Sequence, residues 1–325
     1  MRAGWIAGLL GLVVVSLGLG LSAGTVTHTP AEVWRGLSSP GAQASVIVRE
    51  LRLPRVLLAF LVGGSLAVCG AALQAMIRNP LAEPYLLGLS GGAGLGAVVA
   101  LASRTAGPWA VPVAAFLGAI GAVALVYRLS LVAGRRLDPR ILLLSGVVVG
   151  AFAGALMSAI IVLSDAPTVR NAFLWLLGGF GAASWQALAV FAAYAVLPLG
   201  ALGLSARSLD LVALGDEPAH HLGADVERVR RLVYVCTALL TAASVAACGI
   251  IGFVGLVVPH AVRTVARPLH RTLLPLVFAG GGCFLVLADV VSRTVAPPLE
   301  LPVGVVTALV GVPIFALLLR RSVAG

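Results

Sequence analysis

Long apolar runs separated by short polar segments dominate this chain. A helix that crosses a bilayer needs about 20 mainly apolar residues. The sequence contains ten candidate runs, at approximately 4–23, 55–77, 85–103, 109–132, 140–163, 185–205, 232–250, 254–267, 272–293 and 303–320. The eighth run is short, so the pattern leaves open whether it crosses completely. We therefore predict an all-α polytopic membrane protein, with residues 1–325 forming a single transmembrane domain.

The first run permits two interpretations. Arg2 followed by an apolar stretch from Gly4 to Ala23 has the order of charge and hydrophobicity found in a secretory signal peptide. The apolar region of a signal peptide is usually shorter, about 7–15 residues. This comparison favours a retained first transmembrane helix.

Composition agrees with a membrane location. Hydrophobic residues make up 60% of the chain, charged residues 10%, and the mean hydropathy is +1.08. Soluble domains carry about 25% charged residues. The net charge is +10, and the basic residues are all arginines. They form short clusters between the apolar runs, which indicates membrane orientation and argues against nucleic-acid binding.

The distribution of arginines predicts the orientation. If the N-terminus is cytoplasmic and the runs alternate, 15 arginines lie inside and 7 outside. Because inner loops are enriched in basic residues, we expect both termini in the cytoplasm and the protein in the cell (inner) membrane. Three of the outer arginines lie in the loop 24–54 and a fourth, Arg55, directly follows it; the weakly amphipathic stretch Pro30–Leu37 of this loop is predicted to lie on the outer membrane surface.

Small residues inside the apolar runs predict close helix packing. The glycine-rich stretch 88–97 has no preceding strand, so it is interpreted as a helix-packing surface and not as a phosphate-binding loop. The cysteines lie inside apolar runs without a metal-binding spacing, and no disulfide or metal site is predicted. Glu83, beside Pro84, has no catalytic partner nearby and is predicted to be a structural or interface residue.

One segment, LGDEPAHHLGADVERVRR at 214–231, is strongly polar although apolar runs flank it on both sides. Charge at membrane depth is costly, so this segment is expected to lie in water. Gly215 and Gly223 are expected to separate short helices, because glycine readily ends a helix. His220 and His221 are adjacent and do not share a helix face, which makes them a poor pair of metal ligands.

Seven motifs, in order along nearly the whole chain, resemble the FecCD-type permeases of ABC importers, which carry iron-siderophores, haem or vitamin B12. They are RELRLPRVLLAFLVGGSLAVCGAALQAMIRNPLAEPYLLGLSGGAGLG at 49–96, LDPRILLLSGVVVG at 137–150, WLLGGFGAASW at 175–185, LGDEPAHHLGADVERVRRL at 214–232, IGFVGLVVPHAVR at 251–263, LLPLVFAGGGCFLVLADVVSR at 273–293 and ELPVGVVTALVGVPIFALLL at 300–319.

The resemblance implies the vitamin-B12-importer-type (type II) permease fold, with ten helices per subunit. It also implies a homodimer surrounded by membrane lipid, two ATP-binding subunits and a periplasmic or lipid-anchored substrate-binding protein. ATP and Mg would be bound by the ATPase subunits, so no cofactor and no catalytic residue are expected in this chain.

For the polar segment, the resemblance implies a cytoplasmic coupling loop at about 210–230. Glu217, Ala219 and Leu222 would project into a groove of the ATPase. The alternative is an ordinary solvated loop. The residues assigned to coupling are Gly215, Asp216, Glu217, Ala219, Leu222 and Gly223.

On the opposite face, the resemblance implies that Arg52, Arg55 and Arg293 receive acidic residues of the binding protein. Arginine suits this role because it makes bidentate pairs with carboxylates. Interfacial anchoring by arginines at helix ends is the alternative.

Residues 164–184 are predicted to return to the outer rim with a short helix. Gly178, Gly179 and Phe180 are the candidate residues of the translocation path and its outer gate.

Two other classes of function remain as alternatives. A self-sufficient secondary transporter or channel usually needs ionisable relays at membrane depth, and Asp289 is the main such residue in the apolar runs. An intramembrane enzyme would need a polar catalytic pair, for which the sequence gives no sign. The substrate stays open among iron-siderophore, haem and cobalamin. NPLAEP and WLLGGFG favour cobalamin, whereas iron complexes are more common in the family.

Overall fold

A computed structural model of the chain describes residues 3–24, 26–39, 43–104, 107–133, 138–266 and 269–323. Four arginines counted in the orientation argument, Arg2, Arg135, Arg136 and Arg267, lie outside the described residues.

The described residues form an all-helical bundle without a strand. Its α-helices are α1 (Ala3–Ser22), α2 (Pro30–Ser38), α3 (Gln43–Val46), α4 (Leu53–Ile77), α5 (Leu89–Ala102), α6 (Ala110–Ala133), α7 (Pro139–Val162), α8 (Ala166–Leu176), α9 (Trp185–Leu204), α10 (Ala206–Ala213), α11 (Asp216–His221), α12 (Val226–Cys248), α13 (Val254–Ala266), α14 (His270–Thr294) and α15 (Val303–Val323). The ten predicted runs coincide with α1, α4, α5, α6, α7, α9, α12, α13, α14 and α15, which confirms the predicted fold class.

The helices differ in how far they could cross a bilayer. Within the described residues, six are long and apolar enough to span it, namely α4 with its preceding turn, α6, α7, α9, α12 and α14. By contrast, α13 has 13 residues, which at about 1.5 Å each span roughly 20 Å of an apolar layer about 30 Å thick. The eighth predicted run is therefore too short to cross as a helix alone, and a non-helical segment at 249–253 precedes it.

The centre of the bundle is α4. In its apolar window 83% of residues are buried, against 28% for α6, α7 and α9. A helix that is apolar on all sides is stable only inside the protein or against lipid. α9, α12, α13 and α14 pack directly against α4. Large apolar side chains on the outer surface of the bundle, such as Leu117, Phe152 and Leu197, are exposed for contact with lipid. The four cysteines are buried and free, as expected of packing residues.

Glycine contacts let the helices approach α4 closely. A Cβ added at Gly63 of α4 would overlap the carbonyl oxygen of Gly281 in α14, and the reverse substitution would overlap Gly63. Gly70 meets Gly255 of α13 in the same way. In lipid, where association depends on close van der Waals packing, small residues at the contact allow this approach. The predicted packing role of the glycines is confirmed at these contacts.

The structure corrects two predicted boundaries. The helix of the seventh run begins at Val226 and not at residue 232, because the Asp225 carboxylate caps it by accepting a hydrogen bond from the Arg228 N–H at 3.0 Å. The predicted loop 24–54 contains α2, as expected, but from Gln43 onward it is helical, with a π-helix at Ile47–Arg52 leading into α4. Hydropathy detects the apolar part of a helix and misses its polar first turns.

Segments predicted to lie on the same side of the membrane meet in the structure. Arg78 pairs with Asp216 at 3.5 Å, both on the predicted inner side. Arg104 pairs with Asp165 at 2.9 Å on the predicted outer side. These contacts agree with the predicted alternation of the segments, whereas which side faces the cytoplasm stays a prediction. We call the side with α10 and α11 the coupling face, and the side with Arg55 and Glu300 the outer face.

We expect Gly63→Leu to destabilise the protein, because the new side chain must displace the Gly281 backbone. Overpacking of this kind typically costs about 1–3 kcal/mol in the free energy of unfolding. Thermal denaturation of the purified chain in detergent would measure the loss.

Gly121→Leu is the matched control, since a Cβ at Gly121 of α6 meets no atom within 4 Å. Equal melting temperatures for the Gly63 and Gly121 variants would contradict the packing analysis.

Candidate functional site

A buried ion cluster organises the outer face. Asp289 of α14 is 1% exposed and accepts hydrogen bonds from Arg55 Nη2 at 2.8 Å and Nε at 3.0 Å. On the next turn of α14, Arg293 Nε lies 3.0 Å from the other carboxylate oxygen. Arg55 also reaches Glu300 at 2.8 Å. A buried carboxylate is tolerated only when charged partners and hydrogen bonds replace its water.

Arg52 and Arg293 cap the end of α1. Arg52 Nη1 donates to the carbonyl oxygens of Leu21 and Ser22, both at 2.8 Å, and Arg293 Nη1 donates to that of Ala23 at 2.9 Å. The last carbonyls of a helix have no partner within the helix, and positive charge is favourable there. The two arginines therefore hold α1 against α4 and α14.

The three arginines predicted to dock a binding protein lie together, but they differ in accessibility. Arg52 is 6% and Arg293 is 4% exposed, and their guanidinium groups bind oxygen atoms of their own chain. The Arg55 side chain is 13% exposed and binds Glu300, whose side chain is 40% exposed. Their docking role stays a prediction, and among the three Arg55 has the most accessible side chain.

The residues predicted as a gate join three helix ends. The Gly179 N–H donates to the carbonyl of Cys248, at the end of α12, at 2.8 Å. Val303 and Gly304, at the start of α15, donate to the carbonyls of Gly178 and Leu177 at 3.0 and 3.1 Å. The first N–H groups of a helix lack helical partners, so this segment after α8 satisfies those of α15.

Gly178 allows this crossing because it has no side chain. Its φ is +69°, a conformation that glycine adopts without strain. A Cβ there would lie 2.6 Å from the carbonyl oxygen of Ile250. Phe180, which follows closely, is 1% exposed. A cavity of about 480 Å³ adjoins the predicted gate residues.

Side chains form hydrogen bonds with backbone groups of the non-helical segment between α12 and α13. The Phe253 N–H donates to Glu83 Oε1 at 2.6 Å. The Tyr85 hydroxyl donates to the carbonyl of Ile251 and accepts from its N–H, both at 3.2 Å. Irregular backbone at membrane depth persists only where protein partners or water satisfy it. The prediction that Glu83 is structural is confirmed.

The short helix α8 is fixed at its first turn. Asp165 precedes it and accepts a hydrogen bond from the Thr168 N–H at 3.3 Å, while Arg104 Nη2 pairs with it at 2.9 Å. Hydrogen bonds from Thr168 lower the pKa of Asp165 below its ordinary value, and Arg104 adds to this effect. The ionised Asp165 thus holds the helix that directly precedes the predicted gate residues.

On the coupling face, the glycine pattern predicted a short helix on each side of Gly223; the first is α11, preceded by the short α10, and the second is the start of the long α12. Gly215 between α10 and α11 has a φ of +125°, and Gly223 after α11 has a φ of +81°. Asp216 opens α11 and binds Arg230 of α12 at 2.8 Å and Arg78 at 3.5 Å. These pairs fix α11 against the ends of α4 and α12.

The side chains of the coupling segment point in different directions. Glu217 is exposed and Leu222 is 59% exposed. Ala219 is fully buried, so the prediction that this side chain projects outward is wrong. Because α11 packs against both α10 and α12, one face of so short a helix must point inward, and Ala219 lies on that face.

Sequence reasoning missed several partners that complete these sites. The Asp289–Arg293 spacing of four residues on one helix was a local signal for an ion pair. Glu300 lies 245 residues from Arg55 along the chain, and no local pattern connects them. The same holds for Tyr85 and Ile251. Within the described residues, no group of three or more His, Cys, Asp and Glu is placed to hold a metal ion.

Comparison with known proteins places this architecture in a family. The model of the FecCD transport family matches residues 12–321. A cobalamin import system permease protein, BtuC, of Halobacterium salinarum is 43% identical, over 85% of this chain and 74% of its own length. A hemin transport system permease protein, HmuU, of Yersinia pestis is 38% identical, over 97% of this chain and 95% of its own.

A solved structure shares the fold. It is described as an inward-facing conformation of a metal-chelate type ABC transporter, and it is 29% identical with a TM-score of 0.86, covering 98% of this chain and 99% of its own. The family match over nearly the whole chain and this structural similarity lead to one assignment. The chain belongs to the FecCD transport family, and it is the membrane-spanning permease subunit of an ABC importer.

Proposed function

We propose that this permease imports a metal chelate, of the cobalamin, haem or iron-siderophore class, as a homodimer with two ATPase subunits and an outer binding protein. The observation that supports it most is the family match over residues 12–321 together with relatives named for cobalamin and hemin import. The chain has one coupling segment, and paired ATPases need two, so two copies are required. ATP and Mg are assigned to the ATPase subunits.

In this proposal the ATPase contacts α11 through its exposed side. Glu217 offers a carboxylate and Leu222 an apolar side chain next to it on the coupling face. Asp216 holds the helix through Arg230 and Arg78, and Ala219 packs it against its neighbours. Arg78 directly follows α4, and Arg230 lies in α12. A rigidly held α11 can therefore transmit a movement of the ATPase to both helices.

The outer docking site is proposed to act through Arg55. Two cavities, of about 480 and 290 Å³, share Arg55, Phe180 and Glu300 in their walls. A carboxylate of the binding protein that replaced Glu300 on Arg55 would release the segment leading to Val303. The Val303 N–H donates to the carbonyl of Gly178 at 3.0 Å. Release of this segment would therefore weaken the backbone contact that holds the predicted gate residue Gly178.

Arg52 and Arg293 are proposed to support docking indirectly, through their positive charge. They bring two further positive charges to the cluster, whose three arginines exceed its two carboxylates, Asp289 and Glu300. The excess positive charge attracts an acidic partner surface. Direct contact falls to Arg55, since the other two guanidinium groups are engaged at the end of α1.

Asp289 does not suit the alternative of ion-driven transport. A proton or sodium relay needs a carboxylate that can exchange its partner. Here the carboxylate is 1% exposed and bound by two arginines. This arrangement favours an external energy source.

For coupling, we expect Glu217→Ala and Leu222→Ala to lower ATP-driven uptake by about tenfold or more, because truncating an interface hot spot costs about 2 kcal/mol or more. The measurement is substrate transported per ATP hydrolysed in proteoliposomes. Glu227→Gln is the control, since Glu227 pairs with Arg231 at 3.4 Å on the same face. Normal uptake by both alanine variants would exclude this role.

For docking, Arg55→Gln should weaken association with the binding protein by roughly 2–5 kcal/mol, with a smaller effect at high salt. Arg104→Gln, at a side chain 77% exposed on the same face, is the control and should bind normally.

Arg293→Gln separates docking from folding. We expect this variant to melt at a lower temperature, because it leaves Asp289 with one partner fewer in a buried site.

Association at wild-type affinity by the Arg55 variant, at low and high salt alike, would show that these arginines only hold the bundle.

For the energy source, the permease reconstituted with ATPase, ATP and binding protein should accumulate one of labelled cobalamin, haem or iron-siderophore. The permease alone should accumulate none of them under imposed proton or sodium gradients, because its buried carboxylate Asp289 is held by two arginines. It should accumulate none with added ATP either, because it lacks a GxxxxGK phosphate-binding loop. Gradient-driven accumulation by the chain alone would overturn the proposal, and the label retained identifies the substrate class.

A further inference from the structure

A cavity on the coupling face lies outside all the sites described above. It has a volume of about 320 Å³ and lies between α4, α9 and α14. Its walls are mainly apolar, with Leu199 and Gly203 from α9 and Leu274 and Phe278 from α14. The surface of α9 beside it carries Leu204, which is 91% exposed. Such a surface is suited to contact with lipid acyl chains.

One end of this cavity is polar. His270 and Arg271, the first two residues of α14, line it. His270 is 7% exposed, and its Nδ1 lies 2.6 Å from Asp210 Oδ1. The backbone N–H of His270 donates to the same oxygen at 3.0 Å. Asp210 therefore fixes the ring, because a carboxylate on Nδ1 determines both its tautomer and its orientation.

The other ring nitrogen of His270 is buried without a partner. Nε2 has no hydrogen bond to any described residue. Buried polar atoms almost always have a hydrogen-bond partner, and an exception calls for an explanation such as a bound group. With its Nδ1–H turned to a carboxylate, the neutral ring leaves Nε2 as a hydrogen-bond acceptor, which suits a hydroxyl group of a lipid head group. Arg271, which is exposed, adds a full positive charge beside it.

The length of the cavity matches part of one lipid acyl chain. From His270 to Phe278 the helix rises about 12 Å, at roughly 1.5 Å per residue. The polar end is level with Asp210 of α10, at the edge of the bundle, and the apolar walls run from there toward the middle of α14. Basic pockets between transmembrane helices on the cytoplasmic side are known to accept anionic lipid head groups.

We propose that this cavity binds an anionic phospholipid with a hydroxylated head group, such as phosphatidylglycerol, with its phosphate at Arg271, a head-group hydroxyl donating to His270 Nε2 and an acyl chain along Leu274 and Phe278. The proposal goes beyond the transport function and does not depend on the substrate. Since Asp210 belongs to α10, which leads into α11, the bound lipid also steadies the helix that precedes the coupling segment.

The test is native mass spectrometry of the full-length chain, delipidated in detergent and titrated with phosphatidylglycerol or phosphatidylcholine. We expect phosphatidylglycerol to bind at least about fivefold more tightly, as one basic residue near a head group provides. Arg271→Gln should abolish this preference. Arg231→Gln, which also removes an exposed positive charge from the same face, should preserve it.

A second pair of variants tests the apolar part. A Cβ meets no atom within 4 Å at either Gly203, which lines the cavity, or Gly200, which does not. Gly203→Leu should fill the cavity and weaken phosphatidylglycerol binding at least about fivefold, whereas Gly200→Leu should bind as the unmodified chain does. Size-exclusion chromatography checks that both variants remain folded.

Three results would overturn the proposal. The first is equal affinity of the unmodified chain for the two lipids. The second is unchanged phosphatidylglycerol binding by both Arg271→Gln and Gly203→Leu. The third is displacement of the lipid by soluble glycerol phosphate at similar concentration, which would assign the polar end to a free phosphate.

Discussion

Asp289 places a negative charge inside an apolar bundle, and the outer half of the molecule is arranged around it. The cost of removing a carboxylate from water is offset by Arg55 on α4 and by Arg293 one turn along α14. Arg293 in turn binds the last carbonyls of α1, and Arg55 reaches Glu300 before α15. One buried charge thus fixes the relative positions of four helices that apolar contacts alone would leave free to slide.

Elsewhere the bundle holds together by two complementary means. Where helices are continuous, glycine contacts such as Gly63 with Gly281 let them pack closely without polar groups. Where the backbone is broken, at 249–253, Glu83 and Tyr85 replace the missing helical hydrogen bonds. The breaks coincide with the junction at Gly178, where backbone bonds between separate segments could exchange more easily than those within a helix.

The general architecture and the exposed polar segment at 214–231 could be predicted from the sequence, because their signals are local. Ten apolar runs correspond to ten helices, and Gly215 and Gly223 flank the short helix α11. A polar segment between apolar runs can lie only in water, whatever its neighbours are. Two predicted helix starts were wrong. α12 begins before its apolar part, and the residues directly before α4 are already helical.

By itself the sequence determined that this chain is a helical membrane protein with one exposed polar segment, because hydrophobicity along the chain decides which parts can enter lipid. Only the tertiary structure decided what each charged side chain does. Arg52 and Arg55 are three residues apart, yet one caps α1 and the other pairs with Asp289 and Glu300. Likewise, Glu217 is exposed and Ala219 is buried on the same short helix. The partners come from distant segments, and packing alone brings them together.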